Sequence, residues 1–207
     1  MRLLTTGHRT AAENMSIDEA VLESIASGKS PPTLRFYGWK PAAISIGYFQ
    51  SLEEEVDLAI CKSLGVDYVR RITGGGAVLH EHEITYSIHI PETLNLVPNG
   101  ILESYGKICD GILKGLALLG LEAKFVPLND IVLAVKGAAD AAPTFKKISG
   151  NAQTRKKGII LQHGTILLKV DVDKMFSLLK VPNEKLKGKL IDDVKQRVTS
   201  LSAALGR

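Results

Sequence analysis

The sequence predicts an α+β domain, and three observations predict it. Short stretches such as Thr85-Tyr86-Ser87-Ile88-His89-Ile90 alternate polar and apolar residues, the two-residue period of a half-buried strand. Long helical periodicities lie between such stretches. Turn signals at Lys136 to Pro143 and at Arg155-Lys156-Lys157-Gly158 fold neighbouring strands into hairpins. Several hairpins packed by helices argue for a mostly antiparallel sheet flanked by helices, not a βαβ sheet. At 207 residues and 45% apolar composition, the chain suits one domain with a real core.

The elements follow in order. From Glu13 to Ser27, Ile17, Ala20, Val21 and Ile25 share one helical face, and Gly28 with Pro31-Pro32 ends the helix. Strands are expected at Thr33–Tyr37, Ala43–Gly47 and Asp67–Arg71, the last after a helix near Val56–Leu64. The clearest helix is Ile101 to Leu119, where Ile101, Tyr105, Ile108, Ile112, Leu116 and Leu119 form a stripe. Its three internal glycines weaken it, so packing must hold it. Strands are then expected at Ile131–Val135, Phe145–Ser149 and Ile159–Val170, and a helix at Val172–Leu179.

Composition excludes several classes. No run of about 18 apolar residues exists to span a membrane. The N-terminus lacks a charged region followed by an apolar stretch, so no secretory signal is expected. The two cysteines, Cys61 and Cys109, fit no metal spacing and read as buried thiols in a reduced, cytoplasmic setting. The net charge of +4 is too small to argue for nucleic acid. Its distribution is uneven: Lys174 to Arg207 carries eight Lys/Arg against three Asp/Glu, and Lys146 to Lys157 carries five basic residues and no acid. Such faces are either merely solvated or steer an anionic nucleotide or acidic acceptor protein.

Two segments carry chemistry. Arg70-Arg71-Ile72-Thr73-Gly74-Gly75-Gly76-Ala77-Val78-Leu79-His80 places three glycines beside two arginines and a histidine. Glycine lets backbone N–H groups converge on an anion, and arginine adds bidentate anion recognition. Lys147-Ile148-Ser149-Gly150-Asn151-Ala152-Gln153 repeats the theme, a cation beside a small-residue turn. Neither segment is a Walker loop or a Gly-x-Gly-x-x-Gly fingerprint. Taken alone, a glycine run is most often a turn and a strand lysine most often solvated.

These segments, with Leu34-Arg35-Phe36-Tyr37, Ile44 to Gln50, Asn129-Asp130 and Gln162-His163-Gly164-Thr165-Ile166-Leu167-Leu168, occur in one order from about Asn14 to Ser200. In that order the chain resembles the lipoate–protein ligases of the biotin/lipoate ligase and octanoyltransferase superfamily. The resemblance implies that family's catalytic-domain fold across residues 1–207, without the C-terminal accessory domain, which a separate subunit could supply. It implies ATP-dependent activation of lipoate to lipoyl-AMP, with ATP and magnesium, followed by transfer to a lysine of a carrier domain. The acceptors implied are lipoyl domains of 2-oxoacid dehydrogenases or the glycine cleavage carrier protein.

By the resemblance, Lys147 is the electrostatic centre, bridging the lipoyl carboxyl and the α-phosphate, as a compact ammonium can. Strand alternation turns neighbouring Lys146 to the opposite face. Arg71, Gly76, Ala77, Val78, Leu79, Asn129 and Asp130 are the implied nucleotide residues, with Asp130 a magnesium ligand. Arg71, Gly74, Gly75, Gly76, His80, Gly150, Ala152 and His163 are the implied lipoate residues, although each histidine is as readily a hydrogen-bonded structural group. Two alternatives stand beside the ligase. One is an octanoyl or lipoyl transferase acting between carrier proteins without ATP; it would use a cysteine thiolate, absent from Lys136 to Phe145. The other is a shortened, non-catalytic domain that binds lipoyl-adenylate.

Overall fold

The computed structural model describes residues 1–135, 143–180 and 187–206. Thr10 starts the first helix: its side chain accepts from the Glu13 amide, and the Glu13 carboxylate accepts in return from the Thr10 amide, a reciprocal cap. This helix, α1 (Ala11–Ala26), links β1 (Arg2–Arg9) to β2 (Thr33–Trp39), which pair in parallel. A second parallel pair joins β3 (Ala43–Ile46) to β4 (Asp67–Arg70) across α2 (Leu52–Glu55) and α3 (Leu58–Leu64). These two parallel pairs sit within an otherwise antiparallel architecture. β1 is an outer strand with mostly exposed or half-exposed residues, so it carries too little apolar mass to be read locally.

The chain continues through β5 (Val78–His80), β6 (Glu83–Pro91), α4 (Ile101–Leu118), β7 (Ala123–Val126), β8 (Asp130–Val135), β9 (Thr144–Lys156) and β10 (Ile159–Leu167). Then come α5 (Val172–Leu178), α6 (Lys187–Arg197) and α7 (Leu201–Leu205). A seven-stranded sheet runs β1-β2-β6-β10-β9-β8-β7, antiparallel at every junction except β1/β2. A three-stranded sheet runs β4-β3-β5. The α+β class with a mainly antiparallel sheet therefore holds. β9 is much longer than the expected Phe145–Ser149, and α6 falls where no element was expected. No described helix is long and apolar enough to cross a membrane.

Apolar burial sorts by element. α1 packs Val21, Leu22 and Ile25 against Ile159 and Leu161 of β10. α4 packs Cys109 and Leu116 against Ile131, Leu133 and Ile148. The α4 stripe is shorter than its periodicity predicts, because Ile101 and Leu119 remain 67% and 48% exposed.

A polar hub fastens α1 to the large sheet. Asp18, on the buried face of α1, accepts from Arg35 Nη1 at 2.7 Å and Ser87 Oγ at 2.7 Å through Oδ1. Its Oδ2 accepts from the Tyr37 hydroxyl at 3.0 Å, with His163 Nδ1 at 3.4 Å. The Arg35 guanidinium also reaches the Asn14 carbonyl and side chain and Thr6 Oγ1, and it lies over the Tyr37 ring. Burial alone would raise the Asp18 pKa. The hydrogen bond and charge of His163, with His89 and Arg35, overcome that and hold it down to about 2.

Asp18→Ala strands a buried guanidinium, so unfolding in urea should show a loss of about 3–5 kcal/mol. Because the folded pKa is depressed, the carboxylate's contribution is fully present above about pH 4 and is lost as pH falls towards 2. Stability of the parent chain should fall in that window by roughly 2–3 kcal/mol more than that of Asp18→Asn.

Candidate active site

The loop from β4 to β5 carries the triglycine run, and buried contacts hold it open. Gly75 adopts φ +95°, a conformation that side chains disfavour. A Cβ on Gly47 would overlap the Gly75 carbonyl oxygen, so only glycine lets the end of β3 lie against this loop. Arg71 is nearly buried, and its five N–H groups are spent on protein acceptors. Nε and Nη2 donate to the Gly74 carbonyl at 3.2 and 2.7 Å, Nη2 to that of Gly76 at 2.8 Å, and Nη1 to the Ser45 carbonyl and hydroxyl. Burial lowers its pKa to about 10, which leaves it charged near neutrality. This corrects the expectation of a guanidinium free to grip phosphate or carboxylate: Arg71 lines the cavity as the brace of the loop. Arg70 turns the other way and donates to the carbonyls of Gly47, Tyr48 and Gln50.

A cavity of about 690 Å³ opens between this loop, the large sheet and α5 and α6. That lies in the range of small-molecule pockets. Gly75, Gly76, Ala77, Val78, Leu79 and His80 line one wall, and Asn129, Asp130, Lys147, Gly150, Ala152 and His163 line another. Gly74 does not face the cavity; its carbonyl serves Arg71. Met15 and Trp39 form lining that sequence reasoning missed, as do Met175, Val194 and Arg197 from the helices. Trp39, the chain's sole tryptophan, was the available signal for the first group. The helix residues had none, because only long-range packing brings α5 and α6 over the sheet.

Lys147 Nζ lies 2.8 Å from Asp130 Oδ1 across the β8–β9 pairing. The pair is a close ionic contact without hydrogen-bond alignment, since that oxygen has no aligned donor. With side chains 41% and 32% exposed, it contributes little to stability and leaves the ammonium available at the cavity wall. β9 bulges here: Ile131 pairs with Ser149 and Val132 with Lys147, so Ile148 is extra and sinks into the core. Phe145 and Lys147 face the cavity before the bulge, and Gly150 and Ala152 face it after the parity shifts. Lys146 is not among the lining residues. A Cβ on Gly150 would stand 3.2 Å from Lys147 Nζ, so glycine there gives the ammonium room.

Asn129 and Asn151 clamp one another, each side-chain amide donating to the other's backbone carbonyl. Tyr86 donates to Asn151 Oδ1 at 2.7 Å. The Asn129 side-chain nitrogen is thereby committed to Asn151, at the cavity wall beside Asp130. Asp130 offers one carboxylate turned to an ammonium, and among the described residues no group of three or more His, Cys, Asp or Glu could hold a metal. Asp130, expected as a magnesium ligand, therefore stands beside Lys147 as a single carboxylate at the cavity wall.

Of the three histidines lining the cavity, His80 and His163 are tied into hydrogen-bonded chains. His80 Nδ1 meets Glu83 Oε1 at 2.7 Å and its Nε2 meets Ser45 Oγ at 2.7 Å, with the ring stacked on Trp39. Because the Ser45 oxygen accepts from Arg71, its proton is assigned towards His80. His163 bridges Thr73 and Asp18. Of the hairpin tip expected from Lys136 to Pro143, residues 136–142 lie outside the described residues.

The α+β domain with its braced glycine loop and a lysine at the wall of a cavity has the make-up of a small-molecule-binding enzyme domain. The chain belongs to the lipoyl protein ligase A/B catalytic-domain family, whose model matches residues 10–207. It is similar to octanoyltransferases LipM of Anoxybacillus flavithermus and Geobacillus kaustophilus, each 43% identical over all of this chain and 79% of the relative. The same-named protein of Staphylococcus epidermidis is 38% identical over 96% of this chain and 77% of the relative. Among solved structures, a bipartite lipoate protein ligase from Thermoplasma acidophilum matches with TM-score 0.80 and 32% identity over 97% of this chain and 74% of its own. A lipoate-protein ligase A bound with ATP matches with TM-score 0.74 and 30% identity, over 97% and 76%.

The ATP-dependent lipoate ligase expected from sequence is therefore corrected. Relatives more similar than those ligases, over essentially the whole chain, are octanoyltransferases, so the transferase alternative is favoured and the chain is an enzyme of the lipoylation family. The octanoyltransferase relatives lend the expected ATP no support, although one structural neighbour is bound with ATP. The sequence reading weighted Asn129-Asp130 and the missing cysteine, and in this fold Asn129 and Asp130 face Asn151 and Lys147.

Gly47→Ala should push the triglycine loop out of place, cost about 1–3 kcal/mol in chemical denaturation and lower acyl transfer at least tenfold. Gly111→Ala meets nothing within 4 Å. It should raise helix stability by about 1 kcal/mol with activity unchanged.

Proposed function

We propose that this chain transfers an octanoyl group from a carrier-protein thioester to the amine of a lysine on a lipoyl carrier domain. The observation that carries the reading is the likeness to octanoyltransferases over the full chain, joined to a cavity with the Lys147 ammonium at its wall. A thioester is already activated, so its aminolysis needs no nucleotide. What it needs is charge stabilisation as the carbonyl oxygen becomes an oxyanion. Lys147 supplies that charge, Asp130 holds its ammonium in place, and the loop Gly75–Leu79 with Trp39 and Met15 encloses the acyl chain. Gly150 leaves space beside Nζ for the carbonyl.

Acceptor docking draws on the basic residues at the cavity rim, Lys169 and Arg197. Lys156 and Lys157 lie at the far end of β9, about 30 Å from Lys147 at roughly 3.3 Å per residue, and Lys157 pairs with Glu23. Lys174 and Lys195 are paired with Glu81 and Asp173. An acidic carrier domain would therefore meet the rim, not the β9–β10 turn.

The direct assay mixes the purified chain, octanoyl-loaded carrier protein and a lipoyl domain without ATP, and reads the mass of the lipoyl domain. Octanoylation is expected; a product that forms only with free octanoate and ATP would sink the reading. Lys147→Ala should slow transfer by about 10²–10³ with the fold retained, and Lys146→Ala should stay within about twofold. If Lys146→Ala is the damaging change, the strand parity is wrong.

Reversing Lys169 and Arg197 to Glu should slow transfer at low salt and lose its effect as salt rises. The same reversal at Lys156 and Lys157 should change nothing, and equal effects from both pairs would place docking elsewhere.

A further inference from the structure

The cavity is a trough laid across the strands of the large sheet. Asp130 of β8 pairs with Gly150 of β9, while Thr165 of β10 pairs with Thr85 of β6, which pairs with Tyr37 of β2. Gly164 pairs with Asn151, so the next rung sets Thr165 beside Gly150 and completes one row. All five residues of that row line the cavity. Between its ends the row carries glycine and threonine, so the trough stays open above β9, β10 and β6. The Thr85 hydroxyl is already engaged, accepting from Trp39 Nε1 and donating to Glu83, each at 2.7 Å. It asks nothing of an alkyl chain lying over it.

At β2 the trough meets a wall. Tyr37 and Trp39 are each 4% exposed, and Met15 reaches them from α1, itself 6% exposed. Two of the three are locked: the Tyr37 hydroxyl donates to Asp18, and Trp39 is held by Thr85 and stacked on His80. Met15 is the adaptable member, an unbranched thioether with three rotatable bonds. Its helix is fixed by the Asp18 hub, so the reach of this side chain decides where the trough stops.

The lengths agree. From Lys147 on β9 to Tyr37 on β2 there are three strand spacings of about 4.8 Å, about 14 Å in all. The side chains of the wall occupy the last step, which leaves about 10 Å over β10 and β6. Carbon–carbon bonds of about 1.52 Å advance about 1.25 Å each in a staggered chain, so eight carbons span about 9 Å.

We propose that Met15 sets the acyl-chain length, closing the trough with Tyr37 and Trp39 just past an eighth carbon. The identity of the group carried rests on the transferase reading above; the wall rests on sheet register and burial. A shorter chain leaves apolar wall unfilled, and a longer one must displace Met15.

Trp39 is the sole tryptophan, so its emission reports on the wall directly. Saturated fatty acids of four to twelve carbons are titrated into the purified chain. Affinity should rise about fourfold per methylene up to eight carbons and fall beyond, with the emission change reaching full size at octanoate. Affinity that keeps climbing to twelve carbons overturns the inference. The transfer assay is then run with carriers loaded with six, eight, ten or twelve carbons. Met15→Ala should raise the decanoyl-to-octanoyl ratio of kcat/KM about tenfold, and Met15→Phe should move the optimum to six. An optimum that stays at eight in both variants, or an equal loss at every length, assigns Met15 to packing alone and overturns the inference. The titration of the parent chain needs no variant, so a misfolded Met15→Ala cannot hide the answer. A sharp fatty-acid optimum at eight carbons without transfer of any acyl group overturns the transferase reading and leaves the wall standing.

Discussion

The buried pair of Asp18 and Arg35 is the constraint on which the rest of this molecule depends. A carboxylate and a guanidinium removed from water are tolerable only if nearly every lone pair and N–H finds a partner. Here the partners come from α1, β1, β2, β6 and β10, through Asn14, Thr6, Tyr37, Ser87 and His163. The geometry those contacts demand fixes the helix against the sheet. His163 then extends the network to Thr73, at the start of the triglycine loop. The hub that secures the fold therefore also anchors one edge of the cavity.

A second polar system works on the other side of that loop. Arg71 spends its donors on carbonyls and a hydroxyl of the protein, which keeps three consecutive glycines in one conformation despite their freedom. Ordering a glycine loop in advance removes an entropic cost from substrate binding. With the arginine committed to structure, Lys147 is the cation of these two motifs that meets the cavity with an exposed side chain. That division of labour suits aminolysis of a thioester, where one developing oxyanion must be stabilised, better than the joining of a carboxylate to a phosphate.

Likeness to both octanoyltransferases and lipoate ligases is physically coherent. Each reaction ends with a lysine amine attacking an activated acyl carbon, so both need an apolar channel and a cation near the carbonyl. They differ in how the acyl group is activated, and that difference falls on a few side chains in an unchanged scaffold. Asn129 and Asp130, residue types that read as nucleotide ligands, stand in this fold beside Asn151 and Lys147.

Much of this was legible in the amino-acid sequence. The helical and strand periods located α1, α4, β6 and β10 to within a few residues, because period is a local property of a chain packed on one face. Strand parity turned Lys147 inward and Lys146 away, since both precede the bulge. Tertiary structure decided the rest. The partners that exhaust Arg71 are set by loop closure, and the extra residue at Ile148 by the register between β8 and β9. The parallel pairing of β1 and the closing of the cavity by α5 and α6 depend on contacts across long stretches of chain. A side chain's type limits what it can bind, but its neighbours in space determine whether its donors are still free to do so.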